Sequence, residues 1–490
     1  LLLRYLKKIF YNSVAELRYN NVLYHRHQYA RIEIFKNHFY IKEYDENVYE
    51  IIYKLKKYAE SGIKNYTHSV DLWMKNSGLI IDCDEKKNAL RNLFKNSKVA
   101  FIYGAAGTGK STMINYISSL FKDKQKIFLA NTNPAVENLR RKVTAEHAEF
   151  VTITKFLSKD VSNDCDILCL DECSTISNRD MVRVLQRAQC KLLVLVGDIY
   201  QIESILFGNW FNIAYKVMPK DSVAELTRPH RTTVQGLIEV WNKVREITED
   251  RLEFITRNGL SSTLDESIFS RTEEDEIVLC LNYDGIYGIN NINKFLQSNN
   301  VNPSINWGVL SYKVGDPVLF NESNRFAPLV YNNLKGKILQ IEEEEDCIYF
   351  TIEVYTVLNE LDVIGFDLEL KESVTDETSV IRFKVGRGGD GNDDNDNVEN
   401  VVPFQVAYAI SIHKAQGLEY ESVKVVITSE IEEMVSHNIF YTAITRAKSK
   451  LKIYWSPETE KRILENMKVQ FNDKDYQLFK AKYKEALLKS

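Results

Sequence analysis

Long apolar segments are missing from this 490-residue sequence. No run reaches 18 consecutive apolar residues, so we predict no membrane-spanning helix. The first ten residues, LLLRYLKKIF, are too short and too interrupted by charge to form the apolar core of a signal peptide. The sequence also lacks an initiator methionine, which is typical of a fragment, so we expect a segment upstream.

Cysteine is scarce, and its number is odd. Seven cysteines without paired CxxC spacing exclude a disulfide framework and favour a reducing, cytoplasmic location. Cys165, Cys169 and Cys173 stand four residues apart, and a metal cluster is one interpretation. A core position is the better one, because these cysteines lie in and directly after an apolar stretch.

A large excess of positive charge is also missing. The sequence has 63 Lys and Arg against 68 Asp and Glu, a net charge of −5, which excludes a protein that coats DNA by bulk charge. A local basic groove remains compatible with this balance. The length predicts three or four structural units.

Residues 1–78 are rich in tyrosine and basic side chains and contain no catalytic motif. We predict an N-terminal accessory domain here. Aromatic rings beside cations could instead form a platform on which single-stranded nucleic acid stacks.

Short apolar runs that alternate with helical stretches predict an α/β fold with parallel sheets in two lobes. The first lobe is predicted over residues 79–222, with strands at Val99–Tyr103, Ile127–Ala130, Val151–Ile153, Ile167–Leu170 and Leu192–Val196. The second lobe is predicted over residues 223–311 and 401–490, with strands at Ile277–Leu281, Val406–Ile410, Val423–Thr428 and Leu451–Tyr454.

Between the two parts of the second lobe, residues 312–400 show a different sequence pattern. Alternating β patterns with polar turns predict a small inserted β-barrel. The insert ends in GRGGDGNDDNDNVEN, which cannot bury enough apolar surface to order itself. We interpret it as a solvated acidic loop rather than a metal site.

A phosphate-binding loop is the strongest motif. The run GAAGTGKS starts directly after the strand Val99–Tyr103 and precedes a helical pattern at Met113–Phe121. Glycines let backbone N–H groups surround phosphate, the lysine reaches the β- and γ-phosphates, and the serine hydroxyl binds Mg²⁺. The predicted ATP-binding residues are Gly104, Gly107, Thr108, Gly109, Lys110, Ser111 and Thr112, with Ser111 also a ligand of Mg²⁺.

Two further strand ends carry polar residues suited to ATP hydrolysis. Asp171 follows ILCL and is predicted to hold Mg²⁺, and the adjacent Glu172 is predicted to polarise the attacking water. Gln201 ends the run GDIYQ after the next apolar strand, and we predict that it senses the γ-phosphate.

Two arginines and one polar turn lie in the predicted second lobe. Arg231 in LTRPHR and Arg446 in YTAITRAK are predicted to stabilise charge on the transferring phosphoryl group. The turn HKAQG follows an apolar strand and offers His413, Lys414 and Gln416 as contacts to the phosphates of a nucleic acid.

In order, GAAGTGKS, LDE, GDIYQ, LTRPHR, SIHKAQGLE and YTAITRAK resemble the motif series of superfamily 1 helicases, and the RecD-like 5′→3′ branch fits best. The resemblance covers about residues 80–455. It implies two RecA-like lobes, an Src-homology-3-like insert and ATP with Mg²⁺ between the lobes. It also implies single-strand contacts from the segments FLANTNPAVENL and VTITKFL, through Asn131, Thr132, Thr152 and Lys155.

The sequence departs from this family at three places. Lys86 stands where the family reads adenine with a glutamine, and Ile202-Glu203 replaces the usual Leu-Pro after GDIYQ. Only about ten residues, from Phe156 to Cys165, stand where the family inserts its strand-separating hairpin.

The sequence therefore predicts an ATP-dependent helicase or single-strand translocase, with DNA favoured over RNA and no membrane partner. The alternative is an ATPase switch that controls a partner nuclease in DNA repair or phage defence. A small-molecule kinase would leave HKAQG and TRAK unexplained.

Overall fold

A computed structural model of the chain describes residues 19–36, 38–105, 107–158, 162–201, 208–228, 232, 234–308, 310–321, 325–327, 329–373, 375–386, 400–467 and 473–488. The chain divides into two compact units. The first comprises Leu1–Arg231 together with Gln470–Ser490, and the second comprises Thr232–Val469. The chain thus returns to its first unit at the C-terminus.

The first unit is built on a six-stranded, fully parallel sheet in the order β5-β4-β6-β7-β3-β8. Its strands, with the separate hairpin β1–β2, are Ile32–Phe35 (β1), His38–Ile41 (β2), Val99–Gly104 (β3), Lys126–Ala130 (β4), Ala148–Thr152 (β5), Asp164–Leu170 (β6), Gln189–Gly197 (β7) and Val223–Leu226 (β8). Its helices before the return are Lys42–Ala59 (α1), Tyr66–Asn76 (α2), Asp84–Asn92 (α3), Lys110–Leu120 (α4), Asn133–Lys142 (α5), Ile153–Leu157 (α6), Asn178–Arg187 (α7) and Trp210–Val217 (α8).

The described part of residues 1–78 is not a separate domain, in contrast to our prediction. Helix α1 presents Val48, Ile51, Ile52 and Leu55 to one core cluster of the six-stranded sheet. Helix α2 contributes Tyr66 and Val70 to the cluster on the other side. Apolar residues at helical spacing form one face of each helix, but only the sheet they cover reveals that they belong to the first lobe.

The predicted boundary after residue 222 is also wrong. Strand β8 pairs with β3, with Val223 opposite Phe101, and so completes the sheet of the first unit. The four residues of β8 carry no motif that would assign them to either lobe. Their pairing with β3 assigns them to the first.

A C-terminal helix, Asp473–Leu488, belongs to the first unit rather than to the predicted second lobe. Phe479 is 2% exposed and lies in the core cluster that contains α1. The ammonium of Lys482 lies 2.5 Å from the Asp45 carboxylate, and the Tyr483 ring stacks on that of Tyr49 at 4.4 Å. The helix is therefore anchored by both apolar and polar contacts.

The second unit contains a five-stranded parallel sheet in the order β19-β10-β20-β21-β9 and a six-stranded antiparallel sheet in the order β16-β17-β15-β14-β13-β18. Its strands are Ser261–Ser262 (β9), Glu276–Cys280 (β10), Ser304–Trp307 (β11), Leu310–Lys313 (β12), Pro317–Phe320 (β13), Lys335–Glu343 (β14), Cys347–Val354 (β15), Glu369–Lys371 (β16), Ser379–Gly386 (β17), Phe404–Val406 (β18), Ala409–Ser411 (β19), Tyr420–Val426 (β20) and Ala447–Tyr454 (β21). Its helices are Gln235–Glu246 (α9), Arg251–Arg257 (α10), Ile289–Ser298 (α11), His437–Ile444 (α12) and Pro457–Asn466 (α13).

The predicted strand Val406–Ile410 is divided between the two sheets. Val406 ends β18, which pairs antiparallel with β13, whereas Ala409 begins β19, which pairs parallel with β10. A continuous apolar run cannot reveal such a division, because each half is buried in its own sheet. The acidic segment 387–399 lies outside the described residues.

No helix in the described portion of the chain is long and apolar enough to cross a membrane.

Candidate nucleotide site and nucleic-acid contacts

The phosphate-binding loop connects β3 to α4, as the sequence predicts. Gly107 and Gly109 have φ angles of +77° and +84°, in the left-handed region that glycine adopts without strain. A Cβ at Gly109 would lie 2.5 Å from the Lys86 ammonium, so even a small side chain would clash. The loop leads into the start of α4, where the backbone N–H groups of a helix's first turn suit an anion.

Lys110 is the first residue of α4, and its side chain folds back over the loop. Its ammonium donates to the carbonyls of Gly104 at 2.8 Å and Ala105 at 2.9 Å. Ser111 and Thr112 follow in the first helical turn, both partly exposed. The cation and the serine hydroxyl thus lie at the same end of the helix as the loop.

Asp171 and Glu172 follow β6 at the carboxyl edge of the same parallel sheet. The Asp171 N–H donates to Leu129 O at 2.8 Å, and its carboxylate accepts the Glu172 N–H at 2.8 Å. Burial raises the pKa of the Asp171 carboxyl, although that N–H and the positive charge of Lys110 oppose the shift. The fold therefore joins two motifs that are about sixty residues apart in the sequence.

These residues fit a magnesium ion. A hard divalent cation takes oxygen ligands and binds to nucleotide through one or two protein groups, with phosphates and water filling the other positions. The Asp171 carboxylate and the Ser111 hydroxyl supply such oxygens, and a cation would offset the cost of a partly buried negative charge. Among the described residues, no group of three His, Cys, Asp or Glu forms an independent metal site. Cys165, Cys169 and Cys173 are free thiols buried in the core.

Glu172 has a left-handed backbone, with a φ angle of +53°. Its carbonyl accepts two bonds from Thr175, from the N–H at 2.8 Å and from the hydroxyl at 2.9 Å. A non-glycine residue in this region is strained and needs neighbouring contacts to hold it.

Gln201 follows β7 at the same edge of the sheet and is partly exposed. Its N–H donates to the carbonyl of Asp198 at 3.3 Å, within a turn that also includes Tyr200. The departure at Ile202-Glu203 lies outside the described residues.

Sequence reasoning treated Lys86 only as a departure, and it missed Asp82 and Glu85. Lys86 is 1% exposed, and its ammonium lies 2.5 Å from the Asp82 carboxylate, directly beside Gly109. The carboxylate of Glu85 accepts from the N–H of Thr227 at 3.1 Å and from its hydroxyl at 2.9 Å. Helix α3 thus joins the phosphate-binding loop to the segment after β8. The i,i+4 spacing of Asp82 and Lys86 was the available signal.

Arg446 is 3% exposed in the second unit. Its guanidinium donates to Thr442 O at 3.0 Å and to Leu418 O at 3.2 Å, which joins α12 to the turn before β20. Arg231 lies outside the described residues.

The HKAQG turn follows β19, as predicted. The ammonium of Lys414 donates to Gln405 Oε1 at 3.0 Å, and the Gln416 N–H donates to His413 O at 3.3 Å. Partial burial lowers the pKa of both His413 and Lys414.

The four predicted single-strand contacts of the first unit lie at two neighbouring strand ends, after β4 and β5. Thr132 caps α5, and Thr152 caps α6 by accepting the Lys155 N–H at 3.2 Å. The Asn131 amide donates to Thr175 O at 3.2 Å. Adjacent parallel strands thus bring these side chains to one edge.

Family models match the beginning and the end of the motif series. Residues 83–265 match the family described as AAA domain, and residues 406–454 match the family described as UvrD-like helicase C-terminal domain. The RecD subunit of the RecBCD enzyme from Buchnera aphidicola subsp. Schizaphis graminum is 23% identical, over 79% of this chain and 78% of that protein. The ATP-dependent DNA helicase Pif1 of Campylobacter jejuni is 23% identical, over 72% of this chain and 88% of that protein.

The chain is therefore similar to superfamily 1 helicases of the RecD and Pif1 type. The chain is also 24% identical to an uncharacterized protein of Methanocaldococcus jannaschii, MJ1519, and spans only 37% of its length. Among solved structures, a Pif1 helicase studied at forked double-stranded DNA is 17% identical with a TM-score of 0.49, over 83% of this chain and 98% of the other.

Proposed function

We propose that this chain hydrolyses ATP to move along single-stranded nucleic acid, DNA in preference to RNA, as a superfamily 1 helicase or translocase. The observation that carries the proposal is that Lys110, at the start of α4, and the partly buried Asp171, after β6, both follow strands of one parallel sheet. Burial raises the pKa of the Asp171 carboxyl, and the positive charge of Lys110 opposes this rise. A carboxylate is kept in so costly a place when a cation compensates it.

In this proposal the chain binds the phosphates of ATP through the backbone N–H groups of residues 104–109 and the ammonium of Lys110. Lys110 exchanges its bonds to Gly104 O and Ala105 O for phosphate oxygens. Ser111 and Asp171 would hold Mg²⁺, which neutralises charge on the phosphates when bound. The Glu172 carboxylate orients the attacking water and takes its proton, and Gln201 responds to the γ-phosphate.

Arg446 and Arg231 are proposed to stabilise charge in the transition state. Such arginines contribute about 10³–10⁵ in rate and little to ground-state binding. Because Arg446 also bridges α12 and the turn before β20, Arg446→Ala is compared with Arg446→Lys in both turnover and melting temperature. Equal turnover by all three proteins would exclude a catalytic role.

The contacts to nucleic acid are proposed for Asn131, Thr132, Thr152 and Lys155 in the first unit and for His413, Lys414 and Gln416 in the second. Their support is the shared strand edge in each unit. We also assign residues 312–400 as an Src-homology-3-like insert, supported by the six-stranded antiparallel order.

The deciding experiment measures ATP turnover with and without single strands of about 8–15 nucleotides, as DNA and as RNA. We expect stimulation with little sequence preference and with binding that weakens steeply as salt rises. A Lys110→Ala variant provides the inactive control. A rate that stays flat with both nucleic acids would favour the ATPase switch that controls a partner nuclease.

A further inference from the structure

A short turn on the C-terminal side of Glu172 constrains the backbone of that residue. The 3₁₀ turn Cys173–Thr175 follows Glu172, and both hydrogen-bond donors of Thr175 point to the Glu172 carbonyl. Thr175 is 8% exposed. A shift of Thr175 would therefore move the backbone of Glu172, the residue proposed to orient the attacking water.

Thr175 is itself held by a side chain from another strand. The Nδ2 group of Asn131 donates to the Thr175 carbonyl at 3.2 Å. Asn131 directly follows β4, the strand that pairs with β6 and thereby places its end beside Asp171. One amide thus joins the strand edge assigned to nucleic acid with the turn that shapes Glu172.

We propose that Asn131 is a positioning residue for ATP hydrolysis, which acts on Glu172 through Thr175. This inference rests on the proposed function, and it gives Asn131 a task beyond contact with nucleic acid. Its amide keeps Thr175 in place, Thr175 holds the Glu172 backbone left-handed, and the carboxylate is directed accordingly. Single-stranded nucleic acid bound at the sheet edge after β4 orders Asn131. It thereby raises the fraction of molecules in which the Glu172 carboxylate is correctly placed.

The test uses Asn131→Ala and the isosteric Asn131→Asp, which keeps the shape but loses the donor. Turnover at saturating ATP and the KM for ATP are measured without nucleic acid. We expect turnover to fall about fivefold to tenfold, as the loss of one hydrogen bond predicts, with the KM within about twofold.

The chain offers a matched control at the opposite end of β6. The Asn163 side chain donates to the backbone carbonyl of Arg187 at 2.9 Å, which is the same type of bond far from the nucleotide loop in the sheet. Asn163→Ala should leave turnover unchanged. All variants should retain the wild-type melting temperature within about 3 °C, because each changes a single, partly buried hydrogen bond.

A double-mutant cycle separates positioning from a general structural effect. Thr175→Val removes the hydroxyl bond to the Glu172 carbonyl, and Asn131 acts on the same turn. The double variant should therefore lose less turnover than the product of the single losses. Fully independent losses would overturn the proposal.

Nucleic acid provides the last readout. If Asn131 serves only as a contact, Asn131→Ala raises the concentration of single strand needed for half-maximal stimulation and leaves the maximal rate unchanged, which contradicts the inference. If wild-type protein hydrolyses ATP but ignores nucleic acid, the motor function fails, whereas the turnover of Asn131→Ala without nucleic acid still decides the inference. Absence of hydrolysis by the wild type would overturn both.

Discussion

At the scale of single residues, the candidate site combines charges that are costly in isolation. Asp171 is partly buried, and burial raises the pKa of its carboxyl. Lys86 is almost completely buried beside the phosphate-binding loop and is compensated by Asp82. Glu172 has a strained backbone. Such costs accumulate where function requires them, so substitutions here should separate stability from activity.

Asp171→Asn should stabilise the nucleotide-free protein and abolish ATP hydrolysis. A raised carboxyl pKa means that the folded state binds its proton more tightly than the unfolded state. The stability contributed by Asp171 is therefore present at low pH and is lost as the pH rises through the folded pKa. At neutral pH the neutral amide removes this cost, for a gain of about 0.5–2 kcal/mol. Urea unfolding at pH 5 and pH 8 measures it, and a variant less stable than wild type at both values would contradict the expectation.

Glu172→Gln should bind ATP normally and hydrolyse it at least about a hundredfold more slowly, because loss of a general base costs roughly 10²–10⁴ in rate. Single-turnover hydrolysis and equilibrium binding of a fluorescent ATP analogue test the two parts separately. Lys110→Ala is the contrasting variant, since it should weaken binding as well. A Glu172→Gln protein that loses ATP binding would show that the assigned roles are wrong.

At the scale of elements, the C-terminal helix shows how one segment joins distant parts of the chain. Beyond the pair of Lys482 and Asp45, the Tyr483 hydroxyl donates to the same Asp45 oxygen at 2.6 Å. At the start of the helix, the Asp475 carboxylate accepts the side-chain amide of Asn209 at 2.9 Å, directly before α8. The helix therefore supports the first unit at two places.

Lys482→Met should loosen this helix, because it leaves the carboxylate of Asp45, 7% exposed, with the Tyr483 hydroxyl but without its cation. Removing one partner of a buried pair costs about 3–5 kcal/mol, and the remaining bond reduces this to roughly 2 kcal/mol. Hydrogen exchange of amides in residues 473–488 should quicken by about thirtyfold. Lys480→Met, at an exposed position of the same helix, is the matched control and should leave exchange unchanged.

The element scale also shows where pattern reasoning succeeds. The five strands predicted for the first lobe are all present, with bounds that differ by a few residues. The errors concern β8, the helices α1 and α2, and the run Val406–Ile410. Strand β8 was not predicted, the segment with the two helices was assigned to a separate domain, and the run was predicted as one strand. In each case the partner that buries the segment was unknown, since periodicity describes a buried face without identifying what covers it.

At the scale of the whole molecule, duplex unwinding by the proposed motor depends on an element that separates the two strands of the duplex. The segment between α6 and β6 is residues 158–163, of which the structure describes 158, 162 and 163. Six residues are too few for two paired strands and a turn. The segment is therefore too short for the strand-separating hairpin that the resemblance implies at this position.

We accordingly expect strong ATPase stimulation by single strands but weak duplex unwinding by this chain alone. Melting a duplex costs about 1.4 kcal/mol per base-pair step, which a translocating motor overcomes efficiently only with a wedge. A 5′-tailed duplex of fluorescently labelled DNA measures strand separation, and displacement of streptavidin from biotinylated single strands measures translocation. Efficient unwinding of the tailed duplex would refute this expectation, and deletion of residues 1–41, which precede α1, would then test those residues as the substitute wedge.

The sequence by itself determined the nucleotide chemistry of this protein. The phosphate-binding loop is contiguous, and its glycines, lysine and serine act through backbone geometry that neighbouring residues set locally. Only the tertiary structure decided that the charge of Lys110 acts on Asp171, that Lys86 lies against Gly109, and that Asn131 holds the turn after Glu172. The positions of Asp171 and Asn131 depend on the order of the strands in a parallel sheet. Chain neighbours do not specify that order, because crossover helices allow strands distant in sequence to lie side by side.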